Sequence, residues 1–301
     1  MELVRIKENI YYIDHAVNMG YIQNGGKGLL IDSGIDKGTG KKVWKLLKEA
    51  GLPVTDLLIT HAHADHFGGA FWLKENGNVT VHATQFEGAV LENPRLEPIY
   101  LFQGVEPLSE LRNKFLEGPP VKVDHYVKEG PSVLAGIKGT LYALPGHSYD
   151  QIAFYIDGIL FAADSYFAKA YLEKHVIPFM VDIEKAQASL QFLLSLEGEG
   201  AVPGHGMYET NYKETVKQNI DWHTSLLKEL EQELHELKDM PVESLTSHFL
   251  RKKNIPVPNI GAWVLFRTAV LAYLKALKEQ GKAEFKMKDH QFIIQPIQTE
   301  I

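Results

Sequence analysis

A chain of 301 residues with a formal charge of -7, 45% hydrophobic and free of cysteine is sized for one large domain or a main domain with an appendage. The hydrophobic content excludes a disordered chain, and the acidic balance excludes a surface that is basic throughout, as a general nucleic-acid coat would be. Without cysteine there are no disulfides and no thiolate ligands, so a zinc site would be built from nitrogen and oxygen donors.

The N-terminus, MELVRIKENIYYIDH, is charged and lacks the apolar core of a signal peptide, and no later run reads as a membrane span. The expectation is a soluble cytoplasmic protein with no membrane partner. VRIKENIYYI and GLLIDSG are β-rich runs joined through NGG, a hairpin-turn signal. TGKKVWKLLKEAG sets Val43, Leu46 and Leu47 at helical spacing and stops at Gly51. VTDLLIT predicts a short buried strand, FGGAFWLKENG a helix, and NVTVHA a further strand.

Residues 84–120 break this rhythm with prolines and mixed aromatics, among them Phe86, Tyr100 and Phe102, and are expected to form an inserted, partly helical segment. Strands resume at VKVDHYV, GTLYALPGH, QIAFYID and GILFAADS. A helix, IEKAQASLQFLLSLEG, and a last strand ending at AVPGHG follow. From residue 212 the character changes. A long charged helix carries Leu226, Leu227, Leu230, Leu234 and Leu237 on one stripe. PVESLTSHFL predicts a helix with Pro241 in its first turn, AWVLFRTAVLAYLKALKEQG a longer one, and KAEFKMKDHQFIIQ alternates as a hairpin does.

The chemistry concentrates in HAHADH, where His61, His63, Asp65 and His66 crowd the end of an apolar run. No single regular strand or helix points all four at one ion, but an irregular loop can divide them between two adjacent ions. Histidine with carboxylate suits zinc, and the same donors accept iron or manganese. Three further candidates stand at strand ends: His147 in ALPGHSYDQ, Asp164 in LFAADSYF and His205 in AVPGHGMYE.

THAHADH, PGHS, the aspartate of LFAADS and the histidine of PGHG, in that order over residues 1–210, resemble the metallo-β-lactamase superfamily. The resemblance implies an α+β fold, a four-layer αββα sandwich with a two-metal site at one edge of its sheets. It implies one metal on His61, His63 and His147, the other on Asp65, His66 and His205, with Asp164 bridging and Asp32 of LLIDSG supporting a ligand by a hydrogen bond. One position departs from the pattern: Ala163 stands where the family usually has glycine. The remaining histidines, His15, His82, His125, His175, His223, His235, His248 and His290, lie in no matching motif and are read as structural or exposed.

Two divalent ions on such a site activate a hydroxide and polarise a carbonyl or phosphoryl oxygen, so no protein nucleophile is required. The expected function is therefore hydrolysis of a small-molecule ester, thioester or lactone, with Asp65 in the catalytic machinery and Tyr166 or Tyr208 donating a hydrogen bond to the developing charge. Phosphodiester or RNA hydrolysis is the second reading, and non-hydrolytic iron chemistry a third. A regulatory or scaffolding protein with a vestigial metal site is the alternative outside the enzymes. Residues 1–211 are expected to form the catalytic domain, and the 84–120 insertion either to cover the site or to serve as a dimer contact or simple packing, the two readings standing level. Residues 212–301 resemble the winged-helix module attached to some hydrolases of this fold. With RKKN at 251–254 as the main basic cluster, that module is better suited to walling the cleft or pairing a homodimer than to nucleic acid.

Overall fold

The computed structural model describes residues 1–297. Seven strands form one sheet in chain order: β1 (Glu2–Lys7), β2 (Ile10–Asp14), β3 (Met19–Asn24), β4 (Lys27–Ile31), β5 (Asp56–Leu58), β6 (Thr80–Ala83) and β7 (His125–Tyr126). The first four run antiparallel, and β4 to β7 pair in parallel. The second sheet orders β12 (Gly200–Pro203), β11 (Ile159–Ala163), β10 (Ile152–Ile156), β9 (Ile137–Ala143) and β8 (Gly130–Leu134).

Side-chain alternation along the strands builds the layers. In β4, Leu29 and Ile31 face the second sheet and pack with Phe154 and Phe161, while Leu30 faces outward with Val43 and Leu47 of helix α1 (Lys37–Glu49). In β11, Phe161 points between the sheets, and Leu160 and Ala162 meet Leu190 and Leu193 of α7 (Ile183–Ser195). Helix, sheet, sheet, helix is the result. Each of these buried leucines or phenylalanines contributes about 1.5–3 kcal/mol of apolar burial. α1 starts where the side chain of Asp36 accepts from Thr39 N at 2.9 Å, and it stops before Gly51, whose φ is 72°.

Two local expectations change. VRIKENIYYI is a hairpin rather than one strand: Glu8 and Asn9 turn between β1 and β2, and the NGG turn belongs to β3 and β4 instead. FGGAFWLKENG and the residues before it split into α2 (Ala64–Phe67) and α3 (Ala70–Gly77), with Gly68 and Gly69 between them. A side chain at Gly68 would lie 2.0 Å from the Ile35 carbonyl, so the chain needs glycine where the two segments cross.

Within 84–120 lie α4 (Gln85–Glu92), α5 (Leu96–Leu101) and a single 3₁₀ turn at Ser109–Leu111. α6 (Lys169–His175) precedes α7. The C-terminal part consists of α8 (Tyr212–Leu237), α9 (Val242–Lys252) and α10 (Ile260–Glu279), with β13 (Met240–Pro241), β14 (Ala283–Lys288) and β15 (Gln291–Pro296) in a small sheet. Pro241 caps α9 from outside rather than sitting in its first turn, because its segment pairs with β15 at Ile293. The C-terminal helices share a core with the part of the chain before them: Leu226, Leu230, Phe249 and Val270 join Phe167, Ile177 and Met180 in one cluster.

α10 corrects the expectation that no run is long and apolar enough to cross a membrane. Twenty residues long, with an 18-residue stretch of mean hydropathy 1.5, it qualifies by length and composition. Its apolar surface is used twice: Val270, Leu274 and Leu277 enter the C-terminal core, and Val264 packs with Leu101, Leu111 and Leu116 of the insertion.

Candidate metal centre

β5 ends at Leu58, and the chain leaves it as an irregular loop that becomes α2 at Ala64. This change of geometry separates the four HAHADH side chains. The ligand atoms of His61, His63 and His147 lie within 4.8 Å of one another, and so do those of Asp65, His66 and His205. Asp164, just past the end of β11, stands between the trios. Its Oδ2 is 3.4 Å from His147 Nε2 and 3.4 Å from His205 Nε2, and its Oδ1 is 3.4 Å from His66 Nε2. Thus the seven ligand-type residues named from the sequence are gathered in one place.

Hydrogen bonds fix which nitrogen four of these histidines present. His147 Nδ1 donates to the Phe179 carbonyl at 2.9 Å, and His205 Nδ1 to that of Ala16 at 3.0 Å. His66 Nδ1 donates to Asp32 Oδ2 at 2.8 Å. The Thr60 hydroxyl also donates to Asp32, so it is left to accept from His61 Nδ1 at 3.1 Å. All four therefore turn an Nε2 lone pair inward. His63 is the exception, with Nδ1 at 2.8 Å from His147 Nε2.

Among the described residues, His61 Nε2, His66 Nε2 and Asp164 Oδ1 are buried without a hydrogen-bond partner. Leaving such groups unmet costs about 1–3 kcal/mol each. Inward lone pairs beside a carboxylate are what a divalent cation satisfies, and nitrogen with oxygen is a donor set that zinc, iron and manganese accept.

The electrostatics divide the two trios. Burial holds His61 and His63 well below the usual histidine range, helped by neighbouring imidazoles, and burial lowers His147 against the pull of Asp164. Those three rings are neutral, the form that binds metal. For His66 and His205 burial is again the largest single influence and lowers, but Asp164 together with Asp65, and for His66 also Asp32, outweighs it and both are raised. Burial would raise Asp164, yet His205 and His66 hold it well below the carboxylate range.

The loops are held by residues for which the sequence offered no motif. Asn18 donates from its backbone to Gly204 O at 2.8 Å and from its side chain to Pro203 O at 2.9 Å, tying the β2–β3 loop to the His205 loop. Glu87 of α4 accepts from Ala62 N and Asp150 N, each at 2.9 Å, and from the Ser148 hydroxyl, so one buried carboxylate binds the His61 loop to the His147 loop. Gly204 is sterically required, since a Cβ there would lie 1.9 Å from Asp164 Oδ1. Ala163 adopts a φ of 49°, a left-handed conformation that accounts for glycine being usual at this position.

A cavity of about 770 Å³ opens over the cluster. His63, Asp65, His147, Asp164 and His205 form its floor, and Phe115, Leu116, Tyr171, Phe179 and Leu265 are among its apolar walls. The insertion and α10 thus both reach the site. His15 and His175, read from the sequence as structural or exposed, also line it. His82 does not: its Nε2 meets Asp56 at 2.8 Å on the far side of the sheet's parallel half.

Neither tyrosine named from the sequence lines the cavity. Tyr166 is fully buried among Leu160, Ala162 and Leu190 beneath the second sheet, and Tyr208 packs against Gly200 with the inter-sheet core. Proximity along the chain to Asp164 and His205 did not give direction. The phenol that does reach the cavity is Tyr171, whose ring stacks on His205 with centroids 4.6 Å apart.

Comparison with known proteins follows the same lines. The sequence profile of the Metallo-beta-lactamase superfamily matches residues 12–205. A hydroxyacylglutathione hydrolase of Rhodopseudomonas palustris (strain BisB18) is 28% identical over 165 residues, 54% of this chain and 50% of the relative. A metallo-beta-lactamase type 2 of Bacillus cereus is 28% identical over 204 residues, 65% of this chain and 70% of the relative. The chain thus spans half the length of the first of these relatives.

Among solved structures, a beta-lactamase domain protein from Burkholderia ambifaria superposes with a TM-score of 0.78 at 19% identity, covering 98% of this chain and 94% of that one. A metallo-beta-lactamase family protein from Thermus thermophilus gives 0.73 at 20% identity, with 97% and 100% covered. These likenesses show the fold. Because the profile match spans more than half of the chain and contains every residue of the metal cluster, the chain belongs to the metallo-beta-lactamase superfamily.

Proposed function

We propose that this chain is a binuclear, zinc-preferring hydrolase of small acyl compounds: esters, thioesters or lactones. The observation that carries the reading is the pair of three-ligand groups joined through Asp164 at the floor of an apolar-walled cavity. His61, His63 and His147 would hold one ion, Asp65, His66 and His205 the other, and Asp164 would serve both. Divalent ions so held supply Lewis-acid polarisation of a carbonyl and acidification of water to near-neutral pKa. The chain itself orients its ligands through Asp32, Thr60, Phe179 O and Ala16 O, and keeps the acyl arm in apolar surroundings with Phe115, Leu116 and Leu265. Tyr171, at the cavity wall, is better placed than Tyr166 or Tyr208 to donate a hydrogen bond to a developing oxyanion.

The C-terminal module, read as winged-helix-like, walls the cleft rather than reading nucleic acid. Several of its basic side chains are already paired within the chain, among them Lys252 with Glu233, Lys253 with Glu229, Lys282 with Glu231 at 2.7 Å and Lys288 with Asp239 at 2.8 Å. A phosphate backbone would have to compete for them. This disfavours the RNA-hydrolase reading.

Metal analysis after metal-replete purification is expected to give about two ions per chain. A panel of thioesters, lactones, β-lactams and phosphodiesters, each with a His61→Ala control, tests the substrate class. Hydrolysis of a thioester or lactone that vanishes in the control supports the reading. Fewer than one ion per chain, or activity confined to phosphodiesters, overturns it.

A further inference from the structure

Two glutamates of the insertion are buried beside the metal cluster, and they are treated oppositely. Glu87 is met by three donors. Glu97, on α5, is 3% exposed, lines the catalytic cavity, and among the described residues has neither a hydrogen-bond nor an ion-pair partner for its carboxyl. Burial pushes its pKa well above the carboxylate range, and its charged neighbours, Asp65 and Glu87, being of like sign, push the same way. Nothing in the fold explains the placement. Its oxygens meet no protein donor and keep a little contact with the cavity it lines, so a partner for them comes from the cavity.

We propose that Glu97 is the residue that selects the substrate, by accepting a hydrogen bond from an N–H group carried on an otherwise apolar acyl ester or thioester. A carboxylate only accepts, and a protonated carboxyl keeps an acceptor oxygen beside its O–H, so an N–H donor can be met in either form. Phe115 and Leu116, from the same insertion, line the same cavity, so an apolar arm and the N–H would be read by one segment of chain. The ammonium of a free amine would face the same carboxyl, but the apolar walls favour the neutral amide N–H, which costs less to desolvate. The substrate class is then an amide-bearing acyl compound, for example a thioester of an amide-containing thiol. This rests on the acyl-hydrolase reading above.

The test uses two probe pairs with the metal-replete protein. The first pair is S-hexanoyl-N-acetylcysteamine and its N-methylated amide, which differ only in the N–H. The second is the corresponding S-hexyl thioethers, which cannot be hydrolysed. Wild-type protein is expected to bind the N–H thioether roughly 10- to 100-fold more tightly than the N-methyl one by calorimetry, and to show a similar preference in kcat/KM for the thioesters. Glu97→Leu is expected to bring the two thioethers within about twofold of each other, and Glu97→Gln, which keeps a carbonyl acceptor, to retain part of the preference.

Thermal melting checks that the variants fold. Glu97→Leu removes no hydrogen bond, so its Tm is expected to equal or exceed that of the wild type. Equal binding or no binding of the two thioethers by wild type overturns the proposal, as does a preference that survives Glu97→Leu. A Glu97-dependent thioether preference without hydrolysis of either thioester keeps the assignment and rejects the acyl-hydrolase reading instead.

Discussion

Asp32 Oδ2 lies 2.8 Å from Nδ1 of His66, with both side chains shut away from solvent. The same oxygen accepts from Thr60, whose hydroxyl in turn accepts from His61, and Oδ1 takes the Thr60 backbone N–H at 2.9 Å. One carboxylate thus orients a ligand in each of the two groups. Asp32→Ala is expected to weaken metal affinity roughly 10- to 100-fold, measured by competition with a chelator of known affinity. Unchanged affinity would mean that packing alone aims the two rings.

Glu87→Gln probes the clamp between the His61 and His147 loops. The amide nitrogen it introduces would face a backbone N–H or the Ser148 hydroxyl, leaving at least one donor unmet in a buried place. The expected cost is about 1–3 kcal/mol in urea denaturation, with a fall in activity on any accepted substrate. Stability within experimental error of the wild type would argue that the loops are held without it.

Ala163 carries a φ of 49° immediately before Asp164. Ala163→Gly is expected to stabilise the fold by about 1 kcal/mol, the relief of a left-handed alanine less the extra freedom of glycine in the unfolded chain. Metal content should not change. A lower Tm would show that burial of the alanine methyl outweighs the backbone strain.

His223 of α8 shares a 2.7 Å hydrogen bond with the Tyr273 hydroxyl in the core, and burial pushes its pKa down to about 4. Above the ordinary value of about 6.5 the ring is neutral in both the folded and the unfolded chain. As pH falls from there towards 4, the unfolded chain takes up a proton that the folded one refuses, so stability is lost, by about 2 kcal/mol at pH 5. His223→Gln does not titrate. The difference between wild type and variant, by urea denaturation at pH 7.5 and pH 5, is expected to shift by that amount against the wild type. A pH-independent difference would place the proton elsewhere.

The metal cluster was legible because its ligands come at strand ends in short polar motifs, where an apolar run such as LLIT fixes the position and the next residues can only be loop. The four layers were legible only through the resemblance that those motifs carry to the metallo-β-lactamase superfamily, since strand composition and order alone leave the stacking of the sheets open. Direction at the strand ends was not. Tyr166 follows Asp164 by two residues yet turns under the sheet, while Tyr171 reaches the cavity only because α6 carries it back over His205. Glu87 and Glu97 sit in a segment without a period, and the role of Glu87 depends on residues remote in sequence, such as Ser148 and Asp150. Asn9 and Asn18 are similar cases: one turns a hairpin and the other ties two loops, and an asparagine alone announces neither.

Leu265 of α10 belongs to the part of the chain farthest in sequence from HAHADH, yet it stands in the cavity wall with Phe115 and Leu116. Floor and wall are therefore encoded by different stretches of sequence. The wall can be redrawn, for a longer or a narrower guest, by changes in the insertion or in α10 that leave every ligand and its supporting hydrogen bonds in place. The last helices are thus part of the cavity itself: without Leu265 the chamber above the metal cluster would lack one side.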